Sequence, residues 1–454
     1  MTGTVDGLRM TGSVLRPDDA GYEQARGLFN GAIRARPRMI AQCVDAADVA
    51  AALTFVQQNS VEVAVRSGGH SVSGASTVDG GLVIDMRAMN SVSVEPGART
   101  ATVGGGALWR DVDRATQTHG LATTGGRVST TGVAGFTLGG GSGWLERKFG
   151  LACDNLLAVE LVTADGRRVV ASDVVNPELF WGLHGGGGNF GIATSFTFRL
   201  HELPVFSAAL MFWPAEDGPP VVRAYRDVMT DAPGDFGGGA LFVTAPPEDF
   251  VPESLVGSLS CAILVTCTGP ETELRGFIEP LLALRPAGSL IAELPYAELQ
   301  CMLDDPPGYR NYWSAEYLRE LPDPAVDLFC DRAADMPVPS PSQHVLFPWG
   351  GAVARSDGRW PMANRSTPWV VHPFGLWDDP ADDVRARDWA HALRDDLRPY
   401  TTGAVYLNFI GDEGQSRVVA GFGEQNYRRL ARLKAEYDPR NVFHRWHNVL
   451  PAED

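Results

Sequence analysis

The chain has 454 residues, of which 44% are hydrophobic and 20% charged, a globular composition too long for one core, so two or more domains are expected. A formal net charge of −17 opposes nucleic-acid phosphates and anionic lipid surfaces, and no apolar run reaches bilayer-spanning length. These features exclude nucleic-acid and membrane partners and leave small-molecule work. In chain order, the first seven residues have neither a basic start nor an apolar core, so the parts of a secretory signal are missing and a cytoplasmic location is expected. Asp45 caps a helix that carries Val49, Leu53 and Val56 on one face, and strands follow at 61–66 and 81–86. A further strand at 100–104 leads to a helix at about 107–118, and 156–163 pairs with 168–171 across Asp165 and Gly166. A closing strand spans 194–200. The pattern is α+β. Composition shifts after residue 204, where prolines and aromatic-rich segments at 309–317, 345–349 and 369–377 mark a second domain. From Tyr406 the chain is again compact, with a helix bearing Leu430 and Leu433.

The chemistry concentrates where the strand at 61–66 runs into Arg66, Ser67, Gly68, Gly69, His70 and Ser71. Glycines let successive amides form an anion-binding nest and let backbone approach a phosphate with no Cβ in the way. His70 adds a nucleophilic imidazole at the end of that turn. Two further glycine runs, at 139–143 and 185–191, sit among Phe136, Leu138, Trp144, Phe190 and Ile192, the surroundings of a buried ligand rather than a polar linker. Neither a P-loop nor a dinucleotide fingerprint in strand-turn-helix context is present. Cys43, Cys153, Cys261, Cys267, Cys301 and Cys330 have no metal-type spacing and read as buried free thiols, with no metal expected.

These motifs, with 131–143, 149–155, Tyr406, Asn408 and the run Tyr437, Asp438, Pro439, Asn441, resemble the berberine-bridge-enzyme-like branch of the vanillyl-alcohol oxidase superfamily. The resemblance runs from about residue 36 to 454. It implies a two-subdomain FAD-binding domain at 36–203, joined by the N-terminal segment 1–35 and by a returning segment 406–454. A substrate domain at 204–405 would lay an antiparallel sheet, covered by helices, over the flavin. By the same resemblance His70 carries the flavin covalently through a ring nitrogen. Val128 stands where many members have a second attachment cysteine, so a single link is implied, and Cys153 is not expected to supply another. The resemblance places the cofactor against residues 66–71, Val128, Thr131, Gly132, Gly135 and Phe136. Gly139, Gly140, Gly143, Gly191, Ile192, Tyr406, Asn408, Asn441 and Asn448 complete that set. Thr131 and Phe136 would lie near the face where oxygen approaches.

The implied activity is an FAD-dependent oxidase that takes a hydride from a hydroxyl- or amine-bearing carbon of a small specialised metabolite and passes the electrons to O2. An oxygenase working through a flavin-oxygen adduct is an alternative, as is a metabolite-binding protein on a degenerate flavin fold. A monomer or homodimer is expected. Oxidation also needs a group to take the heteroatom proton. Tyr312, Tyr317 and Tyr406 lead the candidates, and His344 and His372 lie on later strand-like segments.

Overall fold

The Asp45 carboxylate accepts hydrogen bonds from the Ala47 and Asp48 amides and starts the helix Ala46–Asn59, as its sequence predicts. The computed structural model describes residues 3–5, 7–302 and 304–453. Val49, Leu53 and Val56 bury that helix against a four-stranded sheet, ordered Ser13–Leu15, Met39–Gln42, Leu82–Asp85, Val63–Arg66. The last two pairings are parallel, so Val63–Arg66 delivers the glycine turn at its carboxyl end. A second, antiparallel sheet runs Arg168–Ser172, Leu156–Val162, Ile192–Arg199, Thr100–Gly104, Val92–Glu95. Its first pair closes with Val162 opposite Arg168 and Gly166 at φ +84°, the hairpin expected around Asp165 and Gly166.

Beyond His201–Glu202 the chain builds a third sheet of eight strands. Its order is Gly288–Glu293, Ser207–Pro214, Leu259–Cys267, Phe236–Thr244, Gln343–Pro348, Trp369–Trp377, Arg310–Trp313, with Glu316–Leu318 also on Trp369–Trp377. Alternation along each strand gives the sheet two faces. Met211, Phe242, Ile263, Leu346 and Val371 pack with residues of the helices Gly218–Thr230, Asp323–Ala333 and Asp383–Leu397. The opposite face carries Leu210, Leu241, Val345 and His372 toward a cavity.

The chain then returns. The helix Glu424–Tyr437 packs Leu430 and Leu433 into the cluster that holds Leu179 and Phe190 of the second sheet's surroundings. Lys434, fully buried, donates to Asp438 Oδ2 at 2.6 Å, to Asn189 O at 2.8 Å and to Phe443 O at 2.7 Å. Asp438 in turn accepts from the Val442 and Phe443 amides. With every polar atom of the pair engaged, deleting one partner leaves an uncompensated buried charge, an effect of about 3–5 kcal/mol. This lock fastens the run at 185–191 to the run at 437–441. All six cysteines are free; five are buried and Cys301 is half-buried. Among the described residues no helix is long and apolar enough to cross a membrane, and no cluster of His, Cys, Asp or Glu could hold a metal ion.

Candidate active site

The turn after Val63–Arg66 packs backbone on backbone. A Cβ on Gly68 would lie 2.2 Å from Gly132 N, and one on Gly132 would lie 2.1 Å from Gly68 N. Gly69 turns at φ +80°, a conformation that favours glycine. The amides of Gly68, Gly69, His70 and Ser71 find no acceptor among the described residues, which leaves a row of N–H donors for an anionic group. Both sides of the cradle therefore need glycine. Gly68→Ala is expected to yield protein without bound flavin and with a lowered melting temperature, since the clash is with main chain and cannot relax by a rotamer change. Normal flavin absorbance in that variant would show that the close approach is dispensable.

His70 lies at the cavity wall. Phe29 stacks on its ring at 4.2 Å between centroids, and Nε2 lies 3.0 Å from Thr130 Oγ1. Burial drives its pKa down to about 4; the hydrogen bond to Thr130 acts against that shift, and the nearby Arg66 adds to it. The imidazole is thus neutral at physiological pH and keeps a nucleophilic lone pair. Arg66 is buried behind the turn, donating to Ala25 O, and does not line the cavity.

The structure brings most of the sequence-predicted cofactor residues to one continuous cavity of about 520 Å³, within the roughly 300–1,000 Å³ typical of a ligand-binding cleft. Ser67, Gly68, Gly69, His70 and Ser71 form one wall. Val128, Thr131, Gly132, Gly135 and Phe136 form a second, and Gly191 with Ile192 a third. Tyr406 and Asn408 close the space between the first domain and the third sheet. Gly139, Gly140 and Gly143 stand behind the wall instead, where they permit close approach. Their Cβ positions would meet Asn408 Oδ1 at 2.1 Å, the Met362 methyl at 2.4 Å and Gly125 O at 1.9 Å. Asn441 and Asn448 also stand back from the cavity, each with a buried side-chain oxygen that has no protein partner.

The three tyrosines separate. Tyr312 OH pairs with His391 Nε2 at 2.6 Å, outside the cavity, and Tyr317 is fully buried with its hydroxyl 3.7 Å from Met362 Sδ. Neither reaches the substrate space. Tyr406 does line it, but its oxygen accepts from the amides of Gly141 at 2.7 Å and Ser142 at 3.0 Å and from Asn408 Nδ2 at 3.1 Å. That phenol holds the glycine run. Burial raises its pKa, which keeps it protonated.

His372 is the group that faces the chamber. Its strand is buried along its whole length, and Val345 stands opposite it in register. His372 Nδ1 lies 2.9 Å from Ser314 O; a carbonyl only accepts, so Nδ1 carries the proton and the Nε2 lone pair is left to the cavity side. Phe409 stacks on the ring at 4.1 Å. Burial lowers the pKa to about 3, with Arg127 contributing and the Ser314 bond opposing. His344, one residue out of phase with Val345, points instead to Phe329 O among the helices. Arg127, which also lines the chamber, lies over the Phe347 ring at 4.1 Å and donates to Glu146 at 3.0 Å and to Ser142 Oγ at 2.9 Å. Sequence reasoning missed Phe29, Thr130 and Arg127, none of which carries a motif of its own.

A family model described as an FAD binding domain matches residues 37–172, and one described as berberine and berberine like matches 405–449. The (R)-6-hydroxynicotine oxidase of Paenarthrobacter nicotinovorans is 41% identical over 197 residues, a match spanning 43% of either chain. An FAD-linked oxidoreductase of Aspergillus terreus is 31% identical over 452 residues, covering 90% of this chain and 87% of its own. The crystal structure of 6-hydroxy-D-nicotine oxidase from Arthrobacter nicotinovorans superposes with a TM-score of 0.88 at 27% identity, covering 99% of this chain and all of that one.

Proposed function

We propose, since the chain belongs to the berberine-bridge-enzyme-like FAD-linked oxidoreductases of the vanillyl-alcohol oxidase superfamily, that it is an oxidase of a small specialised metabolite. It acts at a hydroxyl- or amine-bearing carbon with O2 as electron acceptor. FAD, when bound, supplies the two-electron acceptor for the hydride leaving that carbon. His70 would hold it covalently, as the only attachment residue; support comes from the neutral, Phe29-stacked imidazole at the cavity wall. The free amides of the glycine turn and the walls around Thr131 and Gly191 would seat the rest. Residues 36–203 with 406–454 would form the cofactor domain and 204–405 the substrate domain, a division supported by the change of sheet between Glu202 and Ser207 and by the Lys434 lock.

The observation that carries this reading is His372. Its Nε2 accepts the heteroatom proton while Ser314 O keeps Nδ1 protonated and the ring fixed. A resting base this weak is adequate because the O–H it faces becomes far more acidic as hydride departs. Aromatic walls around it exclude water from that exchange. The test is turnover under labelled oxygen with product mass spectrometry. One hydrogen peroxide per substrate oxidised and no label in the product are expected; label in the product would overturn the oxidase reading in favour of oxygen insertion.

A further inference from the structure

Asp305 is a buried carboxyl with no cation beside it. It is 8% exposed and lines the chamber, and its Oδ1 accepts from Gln343 Nε2 at 3.1 Å. No other hydrogen bond or ion pair engages its carboxyl among the described residues. Neighbouring Asp304 is differently placed, both oxygens accepting from Ser129, at 2.5 Å from the amide and 2.6 Å from the hydroxyl. The guanidinium groups that line the cavity are engaged elsewhere, Arg127 by the buried Glu146 and Arg445 by Glu62 at 3.6 Å. An isolated carboxylate in such a place is costly unless something brings it a positive charge or a proton. Burial, chiefly, and the adjacent Asp304 raise its pKa to about 7, in keeping with a charge that waits for its partner.

Register relates Gln343, which holds the Asp305 carboxyl, to the strand that carries the base. Gln343 stands opposite Phe374, and Val345, two residues on, stands opposite His372. Two residues of strand span about 7 Å. Phe374 stacks on Trp313 at 4.5 Å, and both rings line the chamber. Carboxylate and aromatic faces together are the recognition chemistry of an alkylammonium group.

We propose that Asp305, with Phe374 and Trp313, is the subsite for a protonated amine on the substrate, remote from the carbon that is oxidised. The enzyme then prefers amino alcohols, or diamines reacting at their far end, to neutral alcohols. This rests on the reading of the cavity as a flavin-bearing chamber with His372 as base.

The test is calorimetric binding of 6-amino-1-hexanol and of 1-hexanol to the purified holoenzyme at pH 8, under anaerobic conditions. At least about tenfold tighter binding of the amino alcohol is expected. In Asp305→Asn that preference falls to about twofold or less with flavin content and 1-hexanol affinity unchanged, and Asp305→Glu restores part of it. Equal binding of the two probes by the wild-type protein overturns the subsite, and so does a preference that survives in Asp305→Asn. The wild-type comparison decides the matter even if the variants fold poorly. Purified wild-type protein without flavin would instead overturn the underlying reading.

Discussion

Denatured His70→Ala protein is expected to release all of its flavin, whereas the wild-type chain keeps a fluorescent band after precipitation and denaturing electrophoresis. The His70 imidazole is a nucleophile on the cavity wall: neutral, stacked on Phe29 and bonded to Thr130. Val128 lines the same cavity but has no atom that can form such a bond. Cys153 is fully buried away from the cavity, and burial pushes its thiol pKa upward, so the thiolate needed for attack is absent. The effect is therefore complete loss rather than reduction. A fluorescent band in His70→Ala, or a flavin-bearing peptide containing Cys153, would place the attachment elsewhere.

His372→Ala should slow reduction of the flavin by substrate by about 10²–10⁴-fold, the usual worth of a positioned general base, and leave reoxidation by O2 within about twofold. His372→Gln should behave similarly, because glutamine can hydrogen-bond the substrate but cannot take its proton. The sign of the pH dependence also follows. With a folded pKa lowered to about 3, the imidazole is already deprotonated above pH 5, so this residue adds no acid limb to the reduction rate at saturating substrate. Stopped-flow measurement of the two half-reactions checks both points. Equal losses in reduction and reoxidation would reduce His372 to a packing residue.

Much of the cofactor domain was legible because its signals are local. The Asp45 cap, the hairpin around Gly166 and the glycine turn before His70 each involve residues close in sequence. The third sheet defeats such reading. Both its faces are apolar, one packing helices and the other lining the chamber, so alternation reveals a strand but not which side faces the ligand. Tyr312 and Trp313 are neighbours, yet Trp313 enters the chamber and Tyr312 turns to His391. His344 and His372 look alike in sequence and end on opposite faces. Tyr406 lines the cavity, and three donors converging on its oxygen give it work that no motif announces. Lys434 resembles any basic residue on an amphipathic helix until Asn189 and Phe443 close around it. Asp305 becomes distinctive only when its loop meets Gln343, 38 positions later.

The returning segment also sets a timetable for synthesis. Lys434 cannot make its bonds until Asp438 and Phe443 exist, and the Asn189 side chain awaits the Val449 amide. For more than half of translation, then, the glycine run at 185–191 is out on the ribosome with its binding partners unmade, while the third sheet is produced in between. Loading of FAD is then expected to follow synthesis of residues 438–449. A nascent protein arrested before residue 438 should be colourless however much FAD surrounds it.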